Sequence, residues 1–263
     1  MNQIDKIAYS SRIARLDPKG KLCFSLFPLC LCIGTRSIAA GLITLFAMAA
    51  LTCMLTGLTL KRYLHFLLIP CGFLLIGTLT IFISRYPAGE SLLAGVTIGQ
   101  YQYGISPDSL FQGIRLCSTA LGAVCCMYFL SFNTPMTSLF QCLRGSPLPG
   151  VLVSLMELIY RYIFVIWEEA ARMKTAQEAR LGYRGLRQSI QSAGTLIGTL
   201  FFRAYSRCGR ICAALEARGF EGDLNALQET YAPSKKWYGY TLAFCLVLGA
   251  AALAEFMLRR KLG

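Results

Sequence analysis

The sequence predicts an all-α polytopic membrane protein, with about five transmembrane helices and a long helical segment outside the bilayer. Three observations predict it. Mean hydropathy is +0.53, and 55% of the 263 residues are hydrophobic while 15% are charged, too few polar side chains to cover a soluble fold. The charges are missing from long runs: residues 22–35, 37–60, 63–84, 116–143 and 237–254 carry none. Finally, 26 Lys and Arg against 13 Asp and Glu leave a net charge of +13. In so apolar a chain this excess marks cytoplasmic parts, and no nucleic-acid partner is expected.

The elements follow in order. A hydrocarbon core of about 30 Å needs about 20 apolar residues as a helix, so residues 37–60, 63–84 and 112–132 span readily and 237–257 suffices. Residues 22–35 are short, and span with snorkelling help from Lys19, Lys21 and Arg36 or form a re-entrant or tightly tilted segment. A cleaved signal peptide is the competing reading, but Asp5 and Asp17 stand in its leader and a second span follows almost at once. Lys6, Arg12, Arg15, Lys19 and Lys21 place the N-terminus in the cytoplasm of a cell whose inner (plasma) membrane the chain crosses. Alternation then puts a Gly-rich loop around Gly95 to Gly104 outside, and residues 133–236, with 13 of the 26 basic residues, inside. Five spans leave Arg259, Arg260 and Lys261 outside, against that tendency. The domains are thus residues 1–132 (leader and four spans), 133–236 (cytoplasmic helices) and 237–263 (last span and basic tail).

Catalytic and metal-binding patterns are weak. Most of the 12 cysteines lie in apolar runs, where Cys behaves as a small hydrophobe, and none are spaced C-x-x-C. His65, the single histidine, reads as an interfacial residue at a span's edge. There is no G-x-x-x-x-G-K-[ST] loop, so this chain does not bind ATP in the P-loop manner. The spans hold almost no ionisable residue, unlike carriers with their own ion relay. The chain therefore reads as a coupler or scaffold with no metal, cofactor or catalytic residue of its own.

Residues 133–236 carry the information. Pro135 suits a first helical turn, and Pro147 and Pro149 break the chain before Val151. From Val151 to about Leu181, Leu152, Leu155, Ile159, Ile163, Ile166 and Ala170 recur at helical spacing, and Glu157–Arg161 and Glu168–Arg172 are spaced for i,i+4 ion pairs. A second helix runs from about Leu186 to Arg218; Gly194 and Gly198 give it a small-x-x-x-small spacing that permits close helix crossing. Arg203, Arg207 and Arg210 then form a stripe suited to anionic lipid headgroups or an acidic partner. Gly219 supplies a left-handed helix end directly after Arg218.

Both helices finish on a similar tripeptide, Ala179-Arg180-Leu181 and Ala217-Arg218-Gly219. With the Asp5 to Lys21 leader, the Leu158 to Tyr162 stretch, Glu168-Glu169-Ala170 and Phe220-Glu221-Gly222, the chain resembles the transmembrane T component of energy-coupling factor transporters, specifically the cobalt-type CbiQ family. It departs from that family where Leu181 replaces the usual Gly. The resemblance implies a non-catalytic coupling subunit of an ATP-driven importer. Its partners would be two cytoplasmic ATPase subunits, which hold the ATP, and a substrate-binding membrane subunit, and Arg180 and Arg218 would dock the ATPases. A guanidinium at a helix end suits that role: it stays charged and offers a planar fork of donors, which Lys lacks. Cobalt is the implied substrate, with nickel, a vitamin, or a conventional ABC permease as alternatives. A membrane enzyme built on Glu157, Arg161 and Glu168, or an assembly protein, would act without ATPase subunits.

Overall fold

The computed structural model describes residues 3–14, 16–82, 84–87, 94–98, 101–105, 107–219, 231 and 235–262. In chain order its elements are α1 (Gln3–Ser10), α2 (Pro18–Thr35), α3 (Ile38–Thr56), α4 (Leu60–Phe82), β1 (Ser84–Pro87), β2 (Ala94–Ile98), β3 (Tyr101–Ile105), α5 (Pro107–Asn133), α6 (Met136–Arg144), α7 (Gly150–Ala179), α8 (Leu186–Glu216) and α9 (Lys235–Leu262). The described chain is overwhelmingly helical. It divides into two compact units, residues 2–136 with 230–263, and residues 137–229.

In the first unit local chemistry sets the helix ends. Asp17 accepts from the Lys19 N–H at 3.0 Å with Pro18 opening α2, and Ser37 accepts from the Ala40 N–H at 3.3 Å to start α3. Gly57 closes α3 at φ 67°, its N–H donating to the Cys53 carbonyl at 3.0 Å. Thr44, Thr52 and Thr56 donate to the carbonyls four residues earlier, so a threonine-bearing face packs with its hydroxyls satisfied inside α3.

The helices meet around an aromatic core. Phe24 of α2 lies 5.2 Å from both Phe129 of α5 and Trp237 of α9, ring centre to ring centre, while Tyr63, Phe66, Tyr128 and Phe132 join α4 to α5. The closest crossing is α3 on α5. A Cβ on Gly41 would meet the Ser118 carbonyl carbon and oxygen at 2.8 Å, and one on Gly122 would meet the Gly41 oxygen at 2.9 Å.

Five helices are long and apolar enough to cross a membrane: Ile38–Thr56, Leu60–Ile81, Ser109–Asn133, Gly150–Ala179 and Lys236–Glu255. Four coincide with expected spans. The expected span at 22–35 lies in α2, whose 18 residues reach only about 27 Å. It is nonetheless a packed member of the helix bundle, burying Phe24, Ser25, Pro28 and Cys32, with the Ser25 hydroxyl donating to the Cys126 carbonyl at 2.9 Å. The fifth qualifying helix is α7, expected outside the bilayer and apolar enough in its first half to meet the same criterion. Along the spans large apolar side chains face outward, among them Phe46, Met54, Ile69 and Phe73, the last 78% exposed, a surface suited to lipid tails.

α9 runs in the same direction as α2. It begins at Trp237 beside Phe24, and its Glu255 accepts from the Ser37 hydroxyl and, at 3.1 Å, from the Ala39 N–H where α3 starts. Its basic C-terminal turn is therefore at the end of the bundle opposite Lys21.

Two expectations are corrected. Lys21 does not snorkel: it is fully buried, donating to the carbonyls of Ile13 at 2.9 Å, Asn133 at 3.2 Å and Ala14 at 3.3 Å. Asn133 in turn accepts from the Ser11 hydroxyl at 2.8 Å and donates to the Phe129 carbonyl at 2.9 Å, so one polar knot ties the leader to the end of α5. The Gly-rich loop is a three-stranded antiparallel sheet of order β1-β3-β2, pairing Ser84 with Gly104 and Ala94 with Ile105; the alternation of Tyr101, Tyr103 and Ile105 carries the strand signal.

In the second unit α6 packs on the first half of α7, with Phe140 and Tyr160 rings 5.7 Å apart. Arg144 reaches Glu157 at 3.4 Å and Ser154 at 3.3 Å, so Glu157 pairs with Arg144 rather than with Arg161. Pro149 precedes α7 at φ −56°, where the sequence predicted the break.

Candidate functional site

The predicted site residues lie at the C-terminal ends of α7 and α8, and the two ends share one backbone geometry. At the first, the Arg180 N–H donates to the Gln177 carbonyl at 3.2 Å and the Leu181 N–H to the Glu178 carbonyl at 3.0 Å. Thirty-eight residues later, the Arg218 N–H donates to the Leu215 carbonyl at 3.1 Å and the Gly219 N–H to the Glu216 carbonyl at 3.0 Å. Leu181 and Gly219 take the equivalent left-handed position, with φ 61° and 69°. Leu181 thus fills the role of a helix-ending glycine despite its Cβ, held there by a further bond from the Gly182 N–H to the Gln177 carbonyl at 2.9 Å. All of Ala179, Arg180, Leu181, Ala217, Arg218 and Gly219 are exposed, Leu181 by 55%. Among the described residues neither Arg180 nor Arg218 has an ion-pair partner, whereas Arg172, Lys174 and Arg203 take Glu168, Glu178 and Glu169. Phe220, Glu221 and Gly222 lie outside the described residues.

Glu169 and Arg203 meet at 2.7 Å, and Gln177 donates to the Ser192 carbonyl at 3.1 Å, so α7 and α8 form an antiparallel pair. The tip is closed by the Ser192 hydroxyl donating to the Gly182 carbonyl at 2.8 Å and Tyr183 donating to Gln177 at 2.8 Å. Gly182 packs closely there: a Cβ would meet Ser192 Oγ at 2.7 Å, displacing its hydrogen bond, and the Gln177 carbonyl oxygen at 3.0 Å. Because the pair is antiparallel, the two motifs are not brought together but stand at its opposite ends, with α8's 31 residues, about 46 Å at about 1.5 Å each, between them.

Gly194 and Gly198 lie between the two ends. Among the described residues a Cβ on either would meet nothing within 4 Å, so the close crossing their spacing permits is not made with any of them. Away from the tip the pair encloses an apolar groove of about 390 Å³, walled by Leu155, Ile159 and Ile166 from α7 and Cys208, Ile211 and Cys212 from α8, with Arg207 at its side. Sequence reasoning missed this groove, although the apolar recurrence along α7 was its signal. Among the described residues no three His, Cys, Asp or Glu are grouped to hold a metal ion.

Comparison with known proteins places the sequence in a family. The family model described as CbiQ, cobalt transport protein, matches residues 9–230. An uncharacterized protein of Methanocaldococcus jannaschii is 33% identical over 94% of this chain and 91% of its own length. A cobalt transport protein CbiQ of Salmonella typhimurium is 30% identical over 86% of this chain and all of its own, and one of Rhodobacter capsulatus is 29% identical over 97% and 98%. With its family model covering most of its length and several helices apolar enough to cross a bilayer, this multi-pass membrane protein belongs to the CbiQ family of cobalt transport proteins.

Proposed function

We propose that the chain is the transmembrane coupling subunit of an ATP-driven cobalt importer, passing the movement of two cytoplasmic ATPase subunits to a separate substrate-binding membrane subunit. The observation that carries this is the pair of exposed arginines on identically capped helix ends, at opposite ends of one antiparallel helix pair. Two such ends suit two copies of a partner. Each guanidinium, projecting where the helix carbonyls end, offers its fork to a carboxylate or carbonyl of the partner, and the contact strengthens as the interface excludes water. ATP binding draws the two ATPases together; α7 and α8, gripped at Arg180 and Arg218, change their crossing angle and move the substrate-binding subunit. In this reading residues 133–236 and the N-terminus face the cytoplasm, and the apolar half of α7 packs against protein rather than spanning.

Cobalt is the substrate class favoured by the family. A relative from Methanocorpusculum labreanum, described as a putative fused cobalt transport protein CbiMQ, matches this chain over 36% of its own length, which supports a further component beside this one. The test is uptake of radioactive cobalt by cells expressing the chain together with candidate ATPase and substrate-binding subunits from the same organism. Uptake is expected only with all components present; uptake by the chain alone, or unaffected by an ATPase-inactivating substitution in the partner, would overturn the proposal.

A further inference from the structure

Cys208 and Cys212 stand one turn apart on α8. Residues four apart on a helix share a face, their Cβ atoms about 5–6 Å from each other. Both are exposed and both line the α7–α8 groove, alongside Arg207. Most other cysteines of the chain sit in the spanning helices as small apolar side chains. Hydrogen bonding to Cys208, and then the charge of that neighbour, raise the Cys212 thiol above its ordinary value, so it keeps its own proton more readily. A cation that prefers sulfur would take that proton's place.

The donor set selects the cation. Without a third Cys, His or carboxylate grouped with them among the described residues, the two thiols do not build the four-ligand shell of zinc. Two thiolates do suit a soft monovalent ion, and no carboxylate side chain is among the described residues that line the groove. The resulting complex carries a net negative charge, which Arg207, also lining the groove, is placed to balance. We propose that Cys208 and Cys212 form a two-thiolate site for a soft monovalent cation of the Cu(I) type, separate from the handling of transported cobalt and independent of the coupling role.

The full chain, purified in detergent, thiol-reduced and under anaerobic conditions, is titrated with Cu(I) against bicinchoninate. Wild type is expected to retain one Cu(I) per chain more than Cys208→Ser/Cys212→Ser, and each single variant is expected to lose that equivalent; equal retention by wild type and the double variant overturns the site. A second measurement needs no variant. One equivalent of phenylarsine oxide forms two As–S bonds with a thiol pair, its oxygen leaving as water with both thiol protons and no change in oxidation state. Peptide mass mapping should find the bridge on Cys208 and Cys212, and a bridge on another pair, or none, would overturn the proposal.

Discussion

Gly41→Ala tests the tightest contact of the membrane unit. The added methyl would stand 2.8 Å from the Ser118 carbonyl carbon and oxygen and 3.0 Å from the Thr119 nitrogen, all backbone, so no side chain can swing aside. Ordinary contact begins near 3.4 Å, so α3 and α5 must part by about 0.6 Å. Gly122 already touches the Gly41 oxygen at 2.9 Å, leaving no slack on that side. Overpacking of this kind costs about 1–3 kcal/mol, and alanine's helix propensity returns about 0.8–1 kcal/mol. The net loss is centred near about 1 kcal/mol, within about 0–2 kcal/mol, a fall in Tm of about 2–4 °C for a chain of this size. Thermal unfolding followed with a thiol-reactive dye reads it directly, because Cys125 and Cys126 of α5 are fully buried until the bundle opens. Gly77→Ala is the reference: a Cβ there meets nothing within 4 Å, so Tm should hold or rise. Equal shifts for the two variants, or a Gly41→Ala protein as stable as wild type, would refute the reasoning.

Three further substitutions follow, the first read by the same thermal measurement and the other two by proteolysis. Lys21→Met removes the donor shared by the Ile13, Ala14 and Asn133 carbonyls. Each stranded acceptor costs about 1–3 kcal/mol, partly offset because a charge is no longer buried, so a loss of about 2–4 kcal/mol is expected, against less than about 0.5 kcal/mol for the exposed Lys19→Met. Leu181→Gly relieves a left-handed conformation that costs a side-chain-bearing residue about 1–2 kcal/mol, less about 0.5–1 kcal/mol of glycine's chain entropy. It should slow proteolysis of the α7–α8 connection, while Gly219→Leu should hasten cleavage after α8; the reverse order would contradict the shared cap geometry.

Much of this fold was legible because bilayer physics writes itself into composition: a charge-free run such as 37–60 becomes α3, and Pro149 and Gly219 mark helix ends by backbone geometry alone. Both Ala-Arg helix ends were readable for the same local reason. What pairing of distant elements decides was not. Lys21 is buried because the end of α5 and the leader happen to present carbonyls to it, and nothing near residue 21 announces that. Small-residue spacing pointed to Gly194 and Gly198, yet the chain's own close crossing uses Gly41 with Gly122, which follows Ser118 at the same spacing. Spacing tells that a helix can approach closely, not which neighbour it meets. The groove beside Cys208 likewise depends on how α7 and α8 diverge, which no single helix encodes.

The central claim, that Arg180 and Arg218 grip the ATPases, is tested most directly by co-purification of the ATPase with Arg180→Glu/Arg218→Glu. Both residues are exposed and without a partner in the described chain, so the variant should insert, fold and retain its substrate-binding membrane partner. The account predicts loss of the ATPase from that complex. An ATPase recovered with the double variant in the same amount as with wild type would contradict it.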